Sequence, residues 1–98
     1  MPVLHTVVFR LHHGAGSAEE QAFLDAGRTV LAAIPGVEDF VVRRQVSPKS
    51  DLTHQFSMRF ADDPAYRAYN DHPDHVEFVA TRWAGEVAAF QEYDFVDA

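Results

Sequence analysis

Polar and apolar positions alternate with a period of two over residues 3–12, VLHTVVFRLH. His5, Val7, Phe9 and Leu11 fall on one side and Leu4, Thr6, Val8 and Arg10 on the other, which predicts a strand with apolar residues on both faces. A loop, HGAGS, follows at 13–17. Ser17, with Glu20 three residues on, forms a capping box, in which two side chains meet amides that a helix leaves unpaired. The helix is predicted to reach Ile34, with Phe23, Ala26, Val30, Leu31 and Ile34 on one stripe and Pro35-Gly36 ending it. Val37 to Val46 predicts a second strand. Leu52 to Phe60 predicts a third, with Leu52, His54, Phe56, Met58 and Phe60 facing one way and Thr53, Gln55, Ser57 and Arg59 the other. A turn containing Pro48 joins these two as a hairpin. Asp63-Pro64 opens a short helix to about Asn70, with Asp63 as its cap and Pro64 at the first helical position. A break at Asp71-His72-Pro73 starts another helix, with Val76, Val79, Ala80 and Trp83 on one stripe, and Val87 to Val96 predicts the last strand.

The order β-α-β-β-α(α)-β predicts the α+β class in its ferredoxin-like form, an antiparallel four-stranded sheet with helices on one face. The other face still carries Leu4 and Val8. Small domains seldom leave such a face bare, so a homodimer packed sheet to sheet about a twofold axis is expected.

Length and charge narrow the possibilities. The 98 residues suit one domain spanning 1–98. Eight Lys and Arg against 15 Asp and Glu give a net charge of −7, which repels phosphate backbones, so neither nucleic acid nor an anionic membrane is an expected partner. The absence of Cys removes disulfide scaffolds, zinc fingers and thiol catalysis. No apolar run approaches the roughly 20 residues of a membrane span. Met1 to Arg10 has neither the basic flank nor the small-residue cleavage site of a signal peptide, and a cytoplasmic location is expected.

Six histidines are many for a chain of this size. His5 and His54 each sit on an otherwise apolar strand face turned toward the helices. Tyr69-Asn70-Asp71-His72-Pro73-Asp74-His75 lies where two helices meet above that sheet. Pro73 fixes the first turn of the second helix and places His75 within it, where the helix dipole disfavours positive charge. A neutral imidazole there can accept a proton, and the Tyr69 hydroxyl is placed to orient it or to hold a carbonyl oxygen. The alternative is a set of histidines that hydrogen-bond across a small core, with Tyr69 anchoring the helix break. His12 and His13, at a strand end, are expected in solvent. His72 and His75 at i, i+3 with His5 and His54 could reach one metal ion. No carboxylate or thiolate has a matching position, however, and Pro73 turns His72 outward, so no metal and no cofactor is expected. Phe23, Phe40, Phe56, Phe60, Phe78 and Trp83 read as core and would make any cavity apolar.

At these residues the chain resembles the stress-responsive A/B barrel (Dabb) family. The matching features are His5 followed by Val7-Val8-Phe9, Ile34-Pro35-Gly36-Val37, Thr53-His54, Tyr69 followed by His72-Pro73-Asp74-His75, and the closing Phe90 to Phe95 stretch. The resemblance implies a dimeric α+β barrel. The family includes plant stress proteins and a plant polyketide cyclase, olivetolic acid cyclase, in which a tyrosine and the second histidine of H-P-x-H act together on a poly-β-keto thioester. It therefore implies that role for Tyr69 and His75, a pocket lined by His5 and His54, and a wall position for Phe23. Phe56 and Val79 are expected to line the same pocket. Two departures stand out: Gly27 where that cyclase has a tyrosine, which is expected to enlarge the cavity, and Arg28 where it has an aliphatic residue, which could close or polarise it. The implied chemistry is an aldol-type ring closure of a small apolar or aromatic carbonyl compound. His75 would take a proton from carbon and Tyr69 would hold the enolate. Two other readings stay open: a non-catalytic ligand-binding or stress-protective module, and a monooxygenase-like or heme-handling protein, for which no axial-ligand arrangement stands out.

Overall fold

The computed structural model describes residues 1–98. Four strands, β1 (Val3–Leu11), β2 (Glu38–Arg44), β3 (His54–Phe60) and β4 (Val87–Phe95), form one antiparallel sheet in the order β2-β3-β1-β4. Helix α1 (Ala18–Val30) connects β1 to β2. The second crossover holds α2 (Asp63–Asp71), α3 (Pro73–Phe78), a π-helical turn (Val79–Trp83) and the short α4 (Ala84–Glu86). The fold is ferredoxin-like, with all helices over one face, and no helix is long and apolar enough to cross a membrane.

Local chemistry sets the boundaries. The Ser17 hydroxyl accepts the Glu20 amide at 3.2 Å, as a capping serine does. The Glu20 carboxylate accepts from the Gly16 amide at 3.1 Å, because the Ser17 amide is already taken by the Gly14 carbonyl. Helix α1 is shorter than predicted: it stops at Val30, and turns carry the chain past Leu31 and Ile34 to Gly36, whose φ of 90° is left-handed. The cap of α2 is Asp62 and not Asp63; its carboxylate accepts from the Ala65 amide at 2.9 Å, which leaves Asp63 and Pro64 inside the first turn.

Alternation on β1 and β3 has the predicted sense. His5, Val7, Phe9 and Leu11 are buried under the helices with His54, Phe56, Met58 and Phe60. The aromatic core is continuous, since Phe23 meets Phe9, Phe56, Phe78 and Trp83 with ring centroids at most 6.0 Å apart. The stripe predicted for the third helix is different. Val76 and Ala80 are exposed, and Phe78 is buried in their place. The reason lies ahead of the π-helical turn: α3 aims His75 and Phe78, three residues apart on one face, at the sheet, so Val76 falls on the outer side. On the far face, Thr6 and Ser57 hydrogen-bond to each other at 3.2 Å, while Leu4, Tyr93 and Phe95 stay about half exposed.

Candidate functional site

The register across the sheet positions the site. His5 lies between Met58 on β3 and Asp94 on β4, Val7 between Phe56 and Glu92, and Phe9 between His54 and Phe90. Paired residues share a face, so edge strand β4 turns Phe90, Glu92 and Asp94 toward the helices. Above these rows is a cavity of about 270 Å³. Its floor is His5 and Val7 on β1, Phe56 and Met58 on β3, and Phe90 and Glu92 on β4. Tyr69, His75, Phe78 and Val79 cover it, with Leu31 and Trp83 completing the wall.

The two histidines of H-P-x-H have different surroundings. His72 caps α3, its Nδ1 accepting from the Asp74 amide at 3.1 Å. His75, one turn on, faces the cavity. Its Nδ1–H donates to the Asn70 carbonyl at 3.0 Å, one of the carbonyls left free at the end of α2. A carbonyl can only accept, so the proton belongs on Nδ1 and the lone pair on Nε2. Burial holds the His75 pKa below the ordinary 6.5, outweighing the opposing pull of the Asn70 carbonyl and of Glu92. The ring is therefore neutral at physiological pH and carries a free acceptor.

Tyr69 is buried, with its ring centroid 4.5 Å from that of His75 and 6.3 Å from that of His5. Burial raises its pKa well above the ordinary phenol value, so the hydroxyl remains a protonated donor. Across the floor, the His5 Nδ1–H donates to Asp94 Oδ1 at 2.6 Å, and the Tyr66 hydroxyl donates to Asp94 Oδ2 at 3.0 Å. The Tyr66 oxygen is also 3.1 Å from His5 Nδ1. Burial, reinforced by Asp94 and Glu92, pushes the Tyr66 pKa up to about 12. These bonds fix the His5 ring and leave Nε2 on the other edge, 3.6 Å from Glu92 Oε1.

Of the expected pocket residues, His5, Phe56, Tyr69, His75 and Val79 come together at this cavity. His54 and Phe23 do not. His54 has the right parity, but it pairs with Phe9, four residues along β1 from His5, or about 13 Å at the rise of a strand. Its Nδ1–H donates to the Thr53 hydroxyl at 2.9 Å, and burial lowers its pKa, with Glu20 opposing and Arg44 adding to the shift. Phe23 is fully buried behind Phe56, with the two rings stacked at 6.0 Å. Gly27 does not enlarge the cavity, because the tip of the Phe56 ring fills the space beneath it. Arg28 neither closes nor polarises the cavity; it is half exposed and pairs with Asp25 at 3.1 Å. His13 is held by Glu86 at 2.8 Å and is not in free solvent.

Tyr66, Glu92 and Asp94 are not singled out by the sequence pattern. Carboxylates do reach a histidine of the site, contrary to expectation, through the β1–β4 register. A signal for them existed in two acids spaced by two on the final strand. No three His, Asp or Glu side chains are gathered as a metal-holding group. The arrangement can bind an apolar body, accept one proton at His75 and donate one hydrogen bond from Tyr69.

Such a sheet, roofed by helices over an apolar cavity with a histidine–tyrosine pair, defines a ferredoxin-like α+β protein. The chain belongs to the Dabb family: the stress responsive A/B barrel domain matches residues 3–97. A Dabb family protein with a ferredoxin-like fold from Mesorhizobium loti is 52% identical, with a TM-score of 0.98 over 99% of this chain and 97% of that one. A protein of Arabidopsis thaliana is 23% identical, with a TM-score of 0.84 over 98% and 95% of the two chains. A hydroxynitrile lyase from Passiflora edulis is 13% identical, with a TM-score of 0.84 over 99% and 94%. At those lower identities the likeness is one of fold alone. Comparison with curated proteins gives no match.

Proposed function

We infer that this chain forms a homodimer in which each subunit binds a small apolar or aromatic carbonyl compound, and that His75 is its general base. The observation that supports this reading is the free Nε2 of a neutral, half-buried His75 beside the Tyr69 ring in an apolar cavity. The proton leaves the carbon next to the carbonyl for His75 Nε2, and the electron pair moves onto the carbonyl oxygen. Tyr69 donates a hydrogen bond to the developing enolate. Where a second carbonyl lies within reach, the enolate carbon attacks it and closes a ring; His75 returns the proton to the new alkoxide. A well-placed base contributes roughly 10²–10⁴ in rate.

The half-exposed Leu4, Tyr93 and Phe95 on the open sheet face favour the dimer. Ferredoxin-like proteins from Thermobifida fusca and Bacteroides fragilis, similar in fold, are described as dimeric.

The test uses benzoylacetone, an aromatic 1,3-diketone. Its enol, diluted from dry solvent into water, loses its ultraviolet band as it ketonises, which is the same proton transfer run in reverse. The wild-type protein is expected to accelerate this above the buffer rate. His75→Ala should return it to the buffer rate, and Tyr69→Phe should slow it with His75 intact. Binding without any acceleration would leave a ligand-binding module and remove the base.

A further inference from the structure

The cavity has a direction. Its row of Phe56, Val7 and Glu92 runs across three adjacent strands, from interior β3 to edge strand β4. At the β3 end Phe56 and Met58 are each 1% exposed. The Phe56 ring cannot retreat, since its tip rests on Gly27 and its sides meet Phe23 and Phe40. At the β4 end Phe90 is 51% exposed and the Glu92 side chain 54%. The closed end is therefore aromatic and the mouth lies at β4.

The mouth is acidic. Glu92 is the one formally charged side chain in the lining, no Lys or Arg is among the lining residues, and Asp94 lies on the same strand face two residues on. No Lys or Arg in the wall offsets a full negative charge on a ligand, and the chain as a whole carries −7. A carboxylate entering this space would pass and then sit beside the Glu92 carboxylate, and like charges at that range repel. An uncharged carbonyl compound meets no such cost. Its oxygen finds Tyr69, and any hydroxyl or amine on its outer end finds the Glu92 carboxylate.

Building on the carbonyl-binding reading above, we propose that Glu92 is a specificity residue at the mouth, and that the site takes uncharged or amine-bearing carbonyl compounds, apolar end first against Phe56, and rejects those carrying a carboxylate. A free carboxylic acid formed in the cavity would be expelled by the same repulsion. The class of reaction that supplies the ligand must therefore deliver its carboxyl groups masked, as thioester, ester or amide.

Three probes of similar size separate the outcomes: 4-phenylbutan-2-one, 3-phenylpropanoate and 4-phenylbutan-2-amine, each titrated at pH 7 with the melting temperature as readout. The ketone and the amine should raise it and the carboxylate should not. Glu92→Gln should narrow the ketone-to-carboxylate preference by about tenfold or more. Glu92 is half exposed on an edge strand, and the ligand-free melting temperature of the variant checks that it folds. Equal binding of ketone and carboxylate to the wild type, or an unchanged preference in Glu92→Gln, overturns the role of Glu92 while leaving the carbonyl site in place. If none of the three shifts the melting temperature, the carbonyl-binding reading falls and this one with it.

Discussion

His5 and Asp94 are 89 positions apart in the chain, yet His5 Nδ1 lies 2.6 Å from Asp94 Oδ1. The antiparallel register of β1 with β4 sets them directly opposite each other. The His5 side chain is 5% exposed and Asp94 45%, so the bond holds an interior ring from the surface. Tyr66 closes the group by donating to the second carboxylate oxygen. Asp94→Ala leaves a buried imidazole N–H without its acceptor. It should lower stability by about 1–3 kcal/mol in urea unfolding. Combined with Tyr66→Phe, the two losses should fall short of additive by about 0.5 kcal/mol or more.

Two histidines give the protein an acid limit. Burial lowers the folded-state pKa of both His54 and His75 below 6.5. The unfolded chain therefore binds protons first as pH falls, and stability drops with it. The contribution is fully present above about pH 6.5 and is lost as pH falls through the lowered values. Urea midpoints measured from pH 8 to pH 4 should show this slope, and His54→Asn should flatten it in part. By the same sign, proton abstraction by His75 should rise with pH and pass its half-maximum below pH 6.5.

Gly27 and Phe56 form a tight contact between α1 and β3. A Cβ built on Gly27 would overlap the Phe56 Cζ and lie 2.8 Å from Cε2. Alanine gains up to about 1 kcal/mol of helix propensity over glycine. Overpacking against a ring confined by Phe23 and Phe40 costs about 1–3 kcal/mol, so Gly27→Ala should be net destabilising. Adding Phe56→Leu should recover part of the loss, measured as the shift in the urea midpoint.

The open sheet face gives the fourth prediction. Leu4 is 44% exposed, and its neighbour Phe95 on β4 is 50% exposed. Charges at Leu4 and Val8 should separate the expected dimer without disturbing the helix-covered core. Gel filtration of the Leu4→Asp, Val8→Asp double variant should show a monomer with native far-ultraviolet dichroism. A persisting dimer would place the contact elsewhere.

Much of the fold was legible because the informative signals are local. Alternation on β1 and β3 assigns each side chain to a face, and Ser17 marks a helix start through its own hydrogen bond. The site was legible only in part. Period two states which face His54 occupies but not how far along the strand it lies, and that distance separates it from His5. Glu92 and Asp94 belong to the site through the β1–β4 pairing, a contact across nearly the whole chain, and Tyr66 joins them from α2 through its bond to Asp94; the spacing of the two acids does not say which strand they meet. Asp62 and Asp63 are adjacent caps of equal propensity, and only the backbone geometry separates them.

The π-helical turn at Val79–Trp83 makes the enclosure depend on residue count as well as residue type. Removing one residue there would let the segment relax into a regular helix and rotate the later side chains by about 100°. Trp83 would swing off the cavity wall and the entry into β4 would turn with it. Deleting Ala80, Thr81 or Arg82 alone would therefore change the cavity more than most side-chain replacements, with every wall residue still encoded.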